Sequence, residues 1–253
     1  MSIAAPDAKP DVAHTAAGGS QTDVVLQGIK RMITSGQLGP GGRLPIEKDL
    51  AVSLGVSRGS LREGVRALCI MGVLETRQGD GTYVTSLDSS LLLAPMGFVV
   101  DLQTPEHRHD LHAVRRVLES EAASRAALYI TDEQLAKAAE TLAAVEPLVL
   151  AEQITDHEGI MVADIAFHRL IAEGADNSAL AALIDALANR TMRARMWLGL
   201  HRQGQVRTAH SEHLAILHAL ENGLPDRARL LMSHHLLGVE DFIQDQPSIE
   251  EDQ

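Results

Sequence analysis

The stretch LAVSLGVSRGSLREGVRAL, residues 50–68, constrains the fold of this chain more than any other segment. Apolar residues at helical spacing run to Leu54, Gly55 interrupts them, and a second helical pattern starts after Ser57. Glycine ends a helix because it enters the left-handed conformation without a Cβ penalty. Serine opens the next helix because its hydroxyl accepts from an amide that has no partner inside the helix. In the second helix Leu61, Val65 and Leu68 share one face, while Arg58 and Arg62, four residues apart, share another. Two short helices meeting at a glycine turn, one with a cationic outer face, describe a helix-turn-helix.

The flanking segments complete that unit. VVLQGIKRMITS (24–35) places Val25, Ile29, Met32 and Ile33 on one helical stripe, with Gly36 as a stop. QLGPGGRLP is a loop, since proline and glycine forbid continuation. Helices are expected at 46–54 and from Ser57 to about Met71, closed by Gly72. VLETRQGDGTYV (73–84) then changes period to two extended runs around Gly79-Asp80-Gly81, a hairpin pattern. Three helices and a hairpin make a winged helix-turn-helix.

Such a unit reads duplex DNA by laying its second helix in the major groove, with the first residues of that helix on the base edges. Arg58, Ser60 and Arg62 lie at that tip. Arginine can hold guanine O6 and N7 or grip a phosphate with two parallel bonds. The hydroxyls of Ser57 and Ser60, with the free amides of the helix start, suit phosphate oxygens.

The whole chain nevertheless carries a formal charge of -12. Residues 21–85 hold eight Lys/Arg against six Asp/Glu, whereas residues 86–253 hold thirteen against twenty-six. The acidity therefore belongs to a second domain with a different partner. From residue 106 only helical periodicity occurs, with helices expected at 106–129, 132–146, 155–174, 178–201, 206–222 and 225–243. Thr131 reads as an N-cap and Pro225 as a first-turn residue. The fold class is mainly α: a winged helix-turn-helix at 21–85, a connection at 86–105 containing a short helix, and an all-helical bundle at 106–244. A disordered tail at 1–20 and a flexible acidic tail at 245–253 flank them.

The single cysteine, Cys69, excludes a disulfide framework and fits a reducing compartment. The most apolar window, SLLLAPMGFVV (90–100), is too short to span a bilayer and contains Pro95 and Gly97. No secretory pattern opens the sequence. A soluble cytoplasmic protein with no membrane partner is expected.

Eleven histidines lie in residues 86–253. Asp164 and His168 are four apart on one helix face, after the apolar stripe of Ile160, Ala163 and Phe167. His213 precedes Ile216, Leu217 and Leu220, and His234 and His235 are adjacent on a further helix. One carboxylate and imidazoles from three helices could enclose a divalent first-row metal. Periodicity does not choose between His234 and His235, and a hydrogen-bonded polar core would use the same residues.

The segment GGRLPIEKDLAVSLGVSRGSLREGVRALCIMGVLETRQGDGTYV resembles the DNA-binding domain of the GntR family of bacterial transcription regulators. The resemblance lies in LP-x-E, L-A-x-x-L-G-V-S-R, the following R-E, and R-x-G-x-G-T-Y-V, and spans about residues 24–85. It implies DNA contacts from Lys48, Arg58, Ser60, Arg62 and Gly79, with Ser57 and Gln78 beside them. Ile46 departs from the family's usual serine, losing a helix cap, and Gly59 from its usual threonine. DLHAVRRVLESEAASRAA, D-x-x-x-H, E-H-x-x-I-x-x-A-L and M-x-x-H-L are similar to the FCD effector domain of the FadR-type branch, over about residues 106–240. That resemblance implies a metal held by Asp164, His168, His213 and His235, with zinc first and nickel or manganese as alternatives. It also implies an effector-facing Arg115, with Arg116 outward, and a homodimer on a palindromic operator.

The function that follows is a transcription regulator, read as a repressor, answering to a small organic acid or sugar acid bound at the metal. Two other readings use the same residues. A metal-dependent hydrolase fused to a DNA anchor would use the Asp/His set to activate water, but H-E-x-x-H and a nucleophile motif are absent. An architectural DNA-binding protein would use the helical part only to dimerise.

Overall fold

The computed structural model describes residues 20–102, 105–187 and 203–244. It divides into two compact units, Met1–Ile70 with Leu74–Thr85, and Met71–Val73 with Ser86–Gln253.

In the first unit, α1 (Gln21–Thr34) begins at a capping box in which Ser20 and Asp23 satisfy each other's backbone amides. It buries Val25, Gly28 and Ile29. α2 (Glu47–Leu54) starts at Ile46 without a side-chain cap and stops at Gly55, which is left-handed at φ 67°. α3 (Arg58–Ile70) buries Leu61, Gly64 and Leu68, and Ser57 caps it by accepting from the Ser60 amide at 3.1 Å. β1 (Leu74–Arg77) and β2 (Gly81–Val84) pair antiparallel with Leu74 opposite Val84 and Arg77 opposite Gly81. Leu74 and Val84 anchor the hairpin in the core, and its tip is exposed.

The second unit is helical throughout its described residues. α4 (Ser89–Asp101) occupies most of the segment read from sequence as a connection, and it packs against α8 (Ser178–Leu187). α5 (Pro105–Tyr129), α6 (Asp132–Leu150), α7 (His157–Gly174), α9 (Gln203–Glu221) and α10 (Pro225–Gln244) form the bundle. Ala123, Ala126 and Ala127 on α5 keep its inner face narrow, and Phe167, Ile171, Ile216, Leu220 and Met232 fill the space around it. Thr131 and Gln134 make a capping box at the start of α6. That helix passes Pro147, where the sequence suggests a stop, because proline removes one amide from the ladder without preventing a final turn. The carbonyls of Val149, Leu150 and Ala151 at the end of the helix accept from Arg207. The expected helix 178–201 is seen as far as Leu187; its remainder, and the tails at 1–19 and 245–253, lie outside the described residues. No helix among the described residues is long and apolar enough to cross a membrane.

Candidate nucleic-acid interface and candidate metal centre

In the first unit a groove of about 760 Å³ lies between α3 and the hairpin, lined by Arg43, Arg62, Arg66, Arg77, Gln78 and Gly79 among others. Lys48, Ser57, Arg58, Arg62, Gln78 and Gly79 are exposed, and Ser60 is half-buried. Gln21 ties the start of α1 to the start of α3, accepting from the Ser57 amide at 3.2 Å and the Ser60 hydroxyl at 3.1 Å. The Ser57 and Ser60 hydroxyls also lie 2.9 Å apart. Arg62 is held by Glu47, with Nε to the two carboxylate oxygens at 3.2 and 3.0 Å and a second nitrogen at 2.9 Å. That hydrogen bond and the carboxylate charge raise the Arg62 pKa.

On the hairpin, Arg77 lies 4.2 Å from the centre of the Tyr83 ring and pairs with Glu75, while Tyr83 donates to Asp80 at 2.6 Å. Gly79 takes φ 74°, so the tip turns where a side chain would strain the backbone. Arg43, Arg66 and Arg77 were not among the sequence candidates. Their signal is simply cationic character, which gains meaning only once the fold gathers them on one groove.

In the second unit, Asp164 and His168 from α7, His213 from α9 and His235 from α10 each bring one ligand atom into a group lying within 4.8 Å of one another. The Nε2 atoms of His168 and His213 are 3.3 Å apart, and those of His213 and His235 are 3.2 Å apart. An Asp164 carboxylate oxygen lies 3.7 Å from His168 Nε2 and 3.5 Å from His213 Nε2. Metal–ligand bonds of about 2.0–2.2 Å at tetrahedral or cis octahedral angles separate ligand atoms by about 2.8–3.6 Å. The donor set therefore fits a divalent first-row ion in kind, and its separations of 3.2, 3.3, 3.5 and 3.7 Å lie in or close to that range. His235 is buried beside the group, whereas His234 is largely exposed and faces Glu212.

Two carboxylates that the sequence did not single out orient the ring nitrogens. Glu119 on α5 accepts from His168 Nδ1 and, through its other oxygen, from Arg115 Nε. Glu212 accepts from His235 Nδ1 at 2.8 Å. An ionised carboxylate can only accept, so each holds the proton on Nδ1 and turns a lone pair on Nε2 toward the cluster. The E-H pair at 212–213 and the R-x-x-x-E spacing at 115–119 were visible in sequence, but their cross-helix partners were not. Arg115 is 2 % exposed and one carboxylate removed from His168, whereas Arg116 is partly exposed and pairs with Glu240 at 2.9 Å. Burial holds the His213 pKa well below the ordinary imidazole range; His235 adds to the depression and Asp164 opposes it. Burial also lowers His210, one turn earlier on α9, against the opposing charge of Glu146.

A winged helix with an arginine-lined groove, followed in the chain by a helical domain with a buried Asp/His cluster, defines a DNA-binding transcription regulator with a sensor domain. Comparison with known proteins agrees across both parts. Residues 21–84 match the family described as "Bacterial regulatory proteins, gntR family", and residues 110–238 match the "FCD domain". The chain is 31% identical over 217 residues to the HTH-type transcriptional regulator LutR of Bacillus subtilis, covering 84% of this chain and 96% of LutR. It is 28% identical to the HTH-type transcriptional repressor NanR of Klebsiella aerogenes, covering 86% of this chain and 83% of NanR. To the Glc operon transcriptional activator of Escherichia coli K12 it is 29% identical, covering 88% and 89% of the two chains. The solved structure of a Streptococcus agalactiae GntR protein superposes with a TM-score of 0.61 at 27% identity, covering 87% of this chain and 99% of that one. The chain belongs to the GntR family of bacterial transcription regulators, in the FadR-type branch that carries an FCD domain. It is a regulator, not an enzyme, and the hydrolase reading finds no support among these relatives.

Proposed function

We propose that this regulator binds a palindromic operator as a homodimer and that a small organic acid or sugar acid, held at a metal in the FCD domain, controls its grip on DNA. The observation that carries this reading is the convergence of Asp164, His168, His213 and His235, with ligand atoms within 4.8 Å of one another, inside the helical bundle. These four residues would hold the ion, zinc first, with nickel or manganese as alternatives. When bound, the ion supplies a Lewis-acidic point that an anionic carboxylate can reach. Glu119 and Glu212 fix the imidazoles in the metal-binding tautomer. Arg115 lies one carboxylate from His168, through Glu119, and is proposed as the residue nearest the cluster that faces the effector's charge.

On the DNA side, Arg58, Ser60 and Arg62 read or grip at the tip of α3, with Ser57, Lys48, Gln78 and Gly79 around them. Arg62, Gln78 and Gly79 line one groove, and Lys48, Ser57 and Arg58 are exposed, which supports that assignment. Effector binding need shift operator affinity by only about 1–3 kcal/mol, the usual coupling between two sites. Repression is the sign proposed, as in the relative named NanR.

The test is a gel shift of the zinc-loaded protein on the DNA upstream of its own gene, against a panel of organic acids and sugar acids. At least one acid is expected to move the binding curve, and His213→Ala is expected to abolish that response while leaving effector-free binding intact. A response that persists in His213→Ala, or bound metal that remains there at full stoichiometry and affinity, would overturn the assignment.

A further inference from the structure

We infer that Gln21 is an operator-contacting residue: its side-chain amide nitrogen donates to a backbone phosphate, while the Ser57 and Ser60 hydroxyls position that amide and meet DNA only as acceptors. This rests on the reading above, in which the tip of α3 lies on duplex DNA.

The protons at that tip can be followed one by one. The backbone N–H of Ser57 donates to Gln21 Oε1 at 3.2 Å, which fixes the orientation of the amide, since an N–H faces only an acceptor. The single proton of the Ser60 hydroxyl goes to the same oxygen at 3.1 Å. The Ser57 and Ser60 hydroxyls lie 2.9 Å apart, so with the Ser60 proton spent Ser57 is the donor between them. Ser57 Oγ in turn accepts from the Ser60 amide at 3.1 Å. Both hydroxyl protons are therefore used inside the protein, and only lone pairs are left on the two oxygens.

What remains to donate is Gln21 Nε2. It carries two protons, has no hydrogen-bond partner among the described residues, and belongs to an exposed side chain. Its place is nevertheless fixed. Two bonds hold the oxygen of the same amide. The helix beneath is held to α3 by the Thr22 hydroxyl, which donates to Glu63 at 3.4 Å, and by Val25 against Gly64. Ordering a glutamine side chain is entropically costly. Here it is ordered before DNA arrives, so less of the contact's strength is lost on binding.

Position decides which part of the duplex it meets. Base edges are reached by the first residues of the helix lying in the groove, and flanking elements meet the sugar–phosphate backbone. Gln21 stands on α1, beside the α3 tip and outside the groove helix, so a phosphate oxygen is its partner. Asp23, the carboxylate two residues away, is turned back onto the Ser20 amide at 2.8 Å. The serines keep a different part: with lone pairs alone facing out, they can accept from a base amino group but have no proton for a phosphate.

The experiment is fluorescence anisotropy of the full-length, zinc-loaded protein on the DNA upstream of its own gene and on an unrelated duplex of equal length, with thermal midpoints read alongside. Gln21→Glu keeps an oxygen for Ser57 and Ser60 but puts an anionic oxygen where the amide nitrogen was. It is expected to bind both duplexes about tenfold or more weaker, with an unchanged midpoint. A phosphate contact carries no sequence, so the two losses should be equal. Ethylation interference should reveal at least one phosphate whose modification weakens the parent but not Gln21→Ala. The inference falls if Gln21→Glu binds as the parent does, or if its loss is confined to the upstream DNA, which would mark a base contact. It falls equally if every phosphate that interferes in the parent also interferes in Gln21→Ala. Should Gln21→Glu melt lower, the interference pattern alone decides. Arg58→Ala separates this inference from the reading it rests on. Weakened binding there, with parent-like binding in Gln21→Glu, sinks only the role of Gln21; parent-like binding in both sinks the α3 reading first.

Discussion

Glu212 on α9 accepts a hydrogen bond from Nδ1 of His235 on α10 at 2.8 Å, and this contact decides which nitrogen of the ring faces the other cluster residues. Glu212→Ala leaves the ring free to rotate and to change tautomer. Zinc affinity, read by chelator competition, is expected to fall by about 10- to 100-fold, the usual effect of losing such a support. Operator binding without effector should be unchanged.

Arg115, Glu119 and His168 form a buried chain, and removing one end exposes the others to a loss larger than the pair's own strength. Arg115→Ala leaves the Glu119 carboxylate buried with His168 as its remaining named partner. Chemical denaturation should show a loss of about 3–5 kcal/mol, because an uncompensated buried charge is what destabilises. The double variant Arg115→Met with Glu119→Gln is expected to recover much of it, since no orphan charge is left. Equal losses in the single and double variants would show that packing, not charge, is what Arg115 supplies.

Arg62 is exposed and bound to Glu47, so the ion pair contributes little to stability but competes with DNA for the guanidinium. Arg62→Ala should leave the thermal midpoint nearly unchanged and weaken operator binding about 10- to 100-fold, the range for losing a bidentate contact. Glu47→Gln is expected to tighten binding modestly and to steepen its salt dependence, because one more cation is free to meet phosphate. Arg58→Ala provides the comparison, since no carboxylate among the described residues pairs with Arg58.

Gly64 in α3 lies close against α1, since a Cβ there would sit 2.5 Å from a Val25 methyl and 2.7 Å from the Val25 Cβ. Alanine favours the helix by about 1 kcal/mol over glycine, but overpacking a core typically costs about 1–3 kcal/mol. The clash involves a Cβ fixed to its backbone, so it wins. Gly64→Ala should lower stability by about 1–2 kcal/mol in urea unfolding, and Val25→Ala in the same chain should restore part of it.

The helix-turn-helix was legible because its determinants are local. Gly55 stops α2, Ser57 caps α3, and the alternation in 73–84 becomes the hairpin, each through interactions within a few residues. Ile46 likewise starts α2 uncapped, as its side chain dictates. Gly64 was not singled out, since nothing in its neighbourhood shows that Val25 lies against it. The segment 86–105 was read as a connection containing a short helix; packed against α8, that helix runs for 13 residues and passes Pro95.

The metal-centre candidates illustrate the same boundary. Sequence alone placed Asp164 and His168 on one face, because a spacing of four residues is a property of the helix itself. It left His234 and His235 undecided on periodicity, and family likeness chose His235; in the structure His235 is buried and His234 exposed. Glu119 and Glu212 acquire meaning only across helices, through contacts that no spacing along the chain encodes. What the sequence determined by itself is the order and type of elements and the residues each could present, since caps, breaks and periodicity act over a turn or two of backbone. What the tertiary structure decided is which side chains from α5, α6, α7, α9 and α10 meet, because burial brings together groups far apart in the chain and settles which are paired and which are left open.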